Sequence, residues 1–230
     1  MAVCVAITAL LGAWLTHRTR PDWVDAAVDA RVQASLGGHP LLPVLVQLGG
    51  PVPVTVMIAA LVLACIVWRR YRKAALVAIS VPAAAAITER LLKPLIGRTP
   101  AGSLSFPSGH ATGVFALAAA AALLLSAPLG TAALRALRLL LSFTAFLIAT
   151  AVAVALIGQD IHDFTDTVAG AAVGIGTALL TALILDLLRS ARRNPHERLS
   201  LAGTARHGTA RHKILTVRNW ASNRQVGIRT

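Results

Sequence analysis

The fold open to this chain is limited first by a series of apolar runs, each bounded by charge or by turn residues. They cover residues 2–16, 41–68, 74–92, 109–127, 139–158 and 165–188. A bilayer core takes about 20 apolar residues as a helix. Only a structure that satisfies its own backbone polar groups can cross it, and a helix does so within one segment. At 56% hydrophobic and 13% charged, with a mean hydropathy of +0.70, the chain is too apolar for an ordinary soluble domain of 230 residues. The expectation is an all-α integral membrane protein with six transmembrane helices.

The interruptions between runs refine that layout. Residues 2–16 are short for a span, but no basic stretch precedes them and no small-residue cleavage site follows, so they read as a first transmembrane helix rather than a signal peptide. From His17 to Pro40, Asp22, Asp25 and Asp29 are offset by Arg18, Arg20 and Arg31. Trp23, Val24, Ala27, Val28 and Val32 give this segment helical periodicity, so a short interfacial helix is expected. Gly49-Gly50-Pro51-Val52-Pro53 breaks the second run, whose continuous helix is expected from near Val54. Arg69, Arg70, Arg72 and Lys73 stop that helix, and a connector carrying Arg135 and Arg138 precedes the fifth run. Residues 1–188 form the expected membrane domain, and 189–230 a basic, disordered cytoplasmic tail.

A net charge of +13, from 22 Lys and Arg against 9 Asp and Glu, would suit nucleic acid in a soluble protein. In a chain built of uncharged Ala, Leu and Val runs it reads as topology instead, and no nucleic-acid partner is expected. Four cations lie in 69–73, two in 127–138, and Arg189, Arg192, Arg193 and Arg198 follow the last run, whereas 159–164 has none. The positive-inside rule places both termini in the cytoplasm of a multi-pass cell-membrane protein. Two polar islands, Lys93–His110 and Gly158–Asp166, then share the outer face at the mouths of helices.

Those islands carry the candidate chemistry. Pro107-Ser108-Gly109 breaks the chain before an uncharged helical run, so Ser108 falls at an N-cap and the helix start offers N–H groups to an anion. Lys93 and Arg98 add positive charge, and His110 can exchange a proton near neutral pH. His162 and Asp166 are four apart, a spacing that lets them meet on one helical face, where a carboxylate can orient an imidazole and stabilise its charged form. Asp160, His162, Asp163 and Asp166 match no familiar metal-ligand spacing, so no metal or other cofactor is expected. Cys4 and Cys65 sit inside apolar runs as small hydrophobes.

With these residues in view, the chain resembles the type 2 phosphatidic acid phosphatase family of lipid and polyprenyl-pyrophosphate phosphatases. The family's P-S-G-H motif is present as Pro107-Ser108-Gly109-His110, and its His-x3-Asp as His162 and Asp166, followed by the small residues Ala169 and Gly170. The family's first motif is Lys, six residues, Arg-Pro. Lys93 fits, but the Arg position is Pro100 and the Pro position Ala101, and Arg98 lies two residues early. The Ser-Arg pair of the third motif falls on Ala155-Leu156. The resemblance implies a six-span bundle with its site at the outer helix mouths, acting on a lipid phosphate or pyrophosphate. It implies His162 as nucleophile, Asp166 as its orienting carboxylate and His110 as proton donor to the leaving oxygen, with Lys93, Arg98, Ser108 and Gly109 holding phosphate. A catalytically degenerate relative that binds a phosphorylated lipid or a protein partner without hydrolysis is the alternative, favoured by the absent arginines. A transporter is a third possibility, opposed by the lack of an inverted repeat.

Overall fold

The computed structural model describes residues 1–100, 102–126 and 131–191. The expected basic tail from residue 192 onward and the end of the fourth run at 127 lie outside them. The described residues are helical and contain no strand. In chain order the helices are α1 (Ala2–Leu15), α2 (Trp23–Leu36), α3 (Leu41–Leu48), α4 (Pro51–Val67), α5 (Tyr71–Ala86), α6 (Lys93–Ile96), α7 (Gly109–Leu125), α8 (Ala132–Gly158) and α9 (Phe164–Ala191). A π-helical turn, Ile87–Leu92, joins α5 to α6. Two compact units divide the chain at Ile184 and Leu185. Of the second, only the helical residues 185–191 are described.

Among the described residues, three helical stretches are long and apolar enough to cross a membrane: Tyr71–Ile96, Ala132–Gly158 and Phe164–Ala191. A fourth is reached if α3 and α4, bent by 54°, count as one span. The bend falls at Gly49-Gly50-Pro51, where Gly50 is extended and Pro51 opens α4. Proline has no N–H to give and its fixed φ suits a first helical turn, so α4 begins at Pro51 rather than near Val54. The other apolar helices, α1 and α7, have 14 and 17 residues.

Two boundaries differ from expectation for related reasons. α5 begins at Tyr71, so Arg72 and Lys73 lie in its first turn. α8 begins at Ala132, where the Thr131 side chain accepts the Leu134 N–H at 3.3 Å, so Arg135 and Arg138 are helical rather than part of a connector. Arginine and lysine are good helix formers. Hydropathy therefore marks where the lipid-compatible part of a helix ends, not where the helix ends.

α7 lies at the centre, packed on α4, α5 and α8. Its buried alanines, Ala116, Ala118 and Ala120, share a core with Val54, Val77, Val81, Val152 and Leu156. Small side chains let neighbouring backbones approach, and α9 uses the same device through Gly170 and Gly174, a small-x3-small pair. A Cβ on Gly174 would stand 2.5 Å from the Thr112 carbonyl oxygen and 2.7 Å from the Ala116 nitrogen. Both are backbone atoms, so no rotamer change can relieve the clash. Gly174→Ala is expected to destabilise the fold by about 1–3 kcal/mol, the usual cost of overpacking, read as a lower thermal midpoint in detergent. An unchanged midpoint would mean that α7 and α9 do not pack this closely.

Candidate active site

The first island is shaped by backbone bonds before its side chains act. Gly97 ends α6 in the left-handed region (φ 62°), and its N–H returns to the Lys93 carbonyl at 3.0 Å. A Cβ there would also meet His17 Nδ1 at 2.7 Å. The segment after α1 is zipped onto this turn: His17 N–H donates to Ile96 O at 2.8 Å, and Thr99 N–H to Arg18 O at 3.0 Å. Ser108 then caps α7, its Oγ accepting the Ala111 N–H at 3.3 Å, while its own N–H donates to the Asp166 carbonyl at 3.0 Å. The two islands, far apart in sequence, are therefore joined backbone to backbone.

Across that joint the two histidines approach each other, with ring centroids 6.4 Å apart. Both line a cavity of about 880 Å³ together with Glu89, Lys93, Ser103, Ser105, Gly109, Asp160, Asp163 and Asp166. Val54, Ile58, Val81 and Pro82 form an apolar wall continuous with it. Behind His162, Asp166 Oδ2 lies 3.6 Å from Nδ1. That is longer than a hydrogen bond, and neither atom has a protein partner. Lys93 Nζ pairs with Glu89 Oε1 at 2.8 Å, and a Cβ on Gly109 would meet the same oxygen at 2.5 Å. In this structure Glu89 thus sits beside the head of α7, where an anionic ligand would be drawn.

Two expected phosphate ligands are placed elsewhere. Ser108 is fully buried, and its hydroxyl serves the helix cap. Arg98 is also fully buried and is absent from the cavity wall. Its Nη1 donates to Asp166 Oδ1 and, at 3.2 Å, to Thr165 Oγ1, while Nη2 donates to Asp25 Oδ2 at 2.6 Å and Asp163 Oδ2 at 2.7 Å. With both terminal nitrogens engaged and only a buried Nε unpartnered, this guanidinium has little to offer a phosphate in the cavity. Of the positions where the resemblance calls for arginine, Pro100 lines the cavity and Leu156 is buried in the core.

Electrostatics follow from this crowding. Burial alone would lower the Arg98 pKa, but Asp166, Asp163 and Asp25 outweigh it and raise it. Burial pushes Asp163 up to about 6; Arg98 opposes this, and Asp166, Asp25 and Asp160 add to it. Asp29 is pushed up to about 7, again chiefly by burial, then by Asp163 and Asp25. Asp25, Asp29 and Thr165 were not among the residues expected here. Their signal was present in the spacing of Asp22, Asp25 and Asp29, which shares one helical face, but such a stripe reads equally as a solvated surface.

The fold and site define a helical membrane protein with paired histidines facing each other across a cavity at helix ends. Residues 1–189 match the sequence profile of the PAP2 superfamily, and the chain belongs to that superfamily. No curated protein matches its sequence. Among solved structures, the chain is similar to the crystal structure described as the first transmembrane PAP2 type phosphatidylglycerolphosphate phosphatase from Bacillus subtilis. The TM-score is 0.65 at 19% identity, over 80% of this chain and 94% of that one. The likeness shows the fold.

Asp29 has a consequence for stability. Its pKa rises from 3.8 to about 7 on folding, so between about pH 4 and 7 the folded chain holds a proton that the unfolded chain has released. Stability therefore falls as pH rises through that window. Asp29→Asn keeps an acceptor for the Phe164 N–H, 3.1 Å away. It is expected to flatten the decline in thermal midpoint between about pH 4 and 7 and to raise the midpoint above it. A decline as steep as that of the wild type would assign the effect to another group.

Proposed function

We propose that the chain hydrolyses a lipid phosphate or pyrophosphate through a phosphohistidine on His162. The observation that carries this reading is the placement of His110 and His162 6.4 Å apart across one cavity, with Asp166 directly behind His162. The Nε2 lone pair of His162 attacks phosphorus, the bond to the leaving oxygen breaks, and His110 supplies that oxygen with a proton. A water then attacks the phosphohistidine and gives its proton to His110, the P–N bond breaks, and phosphate leaves. Asp166 accepts from Nδ1–H and stabilises the imidazolium, provided that the 3.6 Å gap closes when substrate binds.

Phosphate oxygens are held by Lys93, by the N–H groups at Gly109 and His110 that head α7, and by the protonated His110. Arg98 acts from behind the cavity by holding Asp166, and Ser108 by capping α7. The apolar wall beside the histidines supports an amphiphilic substrate, whose head meets Lys93 while its chain stays among Val54, Ile58 and Val81. The layout that suits this chemistry has six spans, completed by α1 and α7, with both termini cytoplasmic and the site on the outer face.

The competing reading is binding without hydrolysis, favoured by Pro100 and Leu156 standing at the arginine positions. Phosphate release from a panel of lipid phosphates and pyrophosphates, by purified protein in detergent without added metal, separates the two. Release that falls at least about a thousandfold in both His162→Ala and His110→Ala is expected, on the scale of losing a nucleophile or a proton donor. Equal release by all three proteins would rule out the histidines, and lipid binding without release would favour the second reading.

The Glu89–Lys93 pair yields another test. Phosphate must compete with Glu89, half of whose side chain is exposed. Glu89→Gln is therefore expected to lower KM about twofold to fivefold, in keeping with about 0.5–1 kcal/mol for an exposed ion pair. A raised KM would mean that Glu89 itself helps to hold the substrate.

A further inference from the structure

We propose that Asp25, on a helix outside both polar islands, is a positioning residue for the reaction, setting the carboxylate that orients His162. The proposal rests on the phosphatase reading above.

Three carboxylates surround Arg98, and Asp25 alone among them belongs to neither island and has no place on the cavity wall. It is fully buried. Its Oδ2 accepts from Arg98 Nη2 at 2.6 Å and from the Thr165 hydroxyl at 3.0 Å, and its Oδ1 accepts the Thr165 N–H at 2.9 Å. One side chain thus grips both the guanidinium and the first turn of α9. On the other edge of that guanidinium, Nη1 donates to Asp166 Oδ1. With Oδ1 held, Oδ2 is the oxygen turned toward His162 Nδ1. Asp25 sets the plane of Arg98, Arg98 sets the rotamer of Asp166, and Asp166 presents one oxygen to the imidazole.

The rest of α2 repeats the contact. Asp29 Oδ1 accepts the Phe164 N–H at 3.1 Å, and Gln33 Nε2 donates to Asp160 Oδ1 at 3.1 Å and to the Ile157 carbonyl at 3.4 Å. Residues 25, 29 and 33 are spaced i, i+4, i+8 and therefore form one stripe. That stripe meets the chain from residue 157 to 165, on both sides of His162. α2 is a splint along the loop that carries the nucleophile. Buried ion pairs seldom exceed apolar packing in stability, whereas they fix direction well. The rigid fork of an arginine suits that role.

The test compares the full-length wild type with Asp25→Asn, Asp25→Glu and, as a control at the N-cap of the same helix, Asp22→Asn, whose carboxylate pairs with Arg18 at 3.0 Å. Asp25→Asn is expected to lower kcat about tenfold to a hundredfold with KM within about twofold, because the residue does not touch the cavity. Asp25→Glu keeps the charge but moves it by one methylene. It is expected to lose less kcat, and it supplies the comparison if the Asn variant does not fold. Loss of kcat that merely follows the folded fraction, or a KM that rises with it, would overturn the proposal.

A second readout does not need turnover. The ring-proton NMR chemical shifts of His162 at one fixed pH are expected to change in Asp25→Asn and to stay in place in Asp22→Asn. Identical His162 ring-proton shifts in wild type and Asp25→Asn would also overturn it. A wild type that releases no phosphate would sink the phosphatase reading, and the ring-proton shifts would still decide whether Asp25 positions His162.

Discussion

Arg98 enclosed by Asp25, Asp163 and Asp166 is the interaction on which the arrangement of the site depends. A guanidinium withdrawn from water carries a desolvation cost of several kcal/mol even after relaxation, and each carboxylate carries its own. The group is tolerable because four acceptors, from α2, the 159–163 loop and the start of α9, meet its two terminal nitrogens, while the buried Nε has no protein partner. Removal of any one partner would leave buried charge uncompensated. The strap at His17 and Arg18, the left-handed turn at Gly97 and the cap at Ser108 can all be understood as holding the backbone so that this side chain reaches its partners.

The same cluster shapes what the cavity can hold. Lys93 is the one Lys or Arg on the described cavity wall, and it faces Glu89, Asp160, Asp163 and Asp166. Such a wall is poor in positive charge for a phosphate dianion. Burial raises Asp163 to about 6, which removes part of the negative charge at mildly acidic pH. The helix start at Gly109 supplies dipole without a side chain, and a Cβ there would require the end of the Glu89 side chain to move. A phosphate would exchange the Glu89 contact for its own, with little change in net charge around Lys93.

Much of this was legible in the sequence, for definable reasons. The apolar runs announced helices because lipid-compatible segments must be continuous, and Ser108 announced a cap because Pro107 and Gly109 leave it no other local role. The nearness of His162 and Asp166 was legible in their spacing, but not as one helical face, since His162 stands in the loop before α9 and its Nδ1 is 3.6 Å from Asp166 Oδ2. Arg98 was misread because proximity in sequence to Lys93 suggested a shared ligand, whereas the direction of a side chain leaving a left-handed turn is a tertiary property. Asp25 was hidden for the opposite reason. Nothing local distinguishes a carboxylate that will cap another helix from one that faces solvent, and its partner Thr165 lies 140 residues away. Arg135 and Arg138 show a third kind of miss, in which hydropathy located the apolar part of a helix but not its first turns.

The departures at Pro100 and Leu156 bear differently on the two halves of the site. Leu156 packs against the core as α8 closes on α7, so the space for an arginine there has been given to apolar packing, and one mode of holding phosphate has gone. The geometry of the histidines does not pass through either position. It is set by the Ser108–Asp166 backbone bond, by the close approach of Gly170 and Gly174 to α7, and by Arg98. Under the proposed reading, the absence of the motif arginines would weaken the hold on phosphate without disturbing the placement of the two histidines.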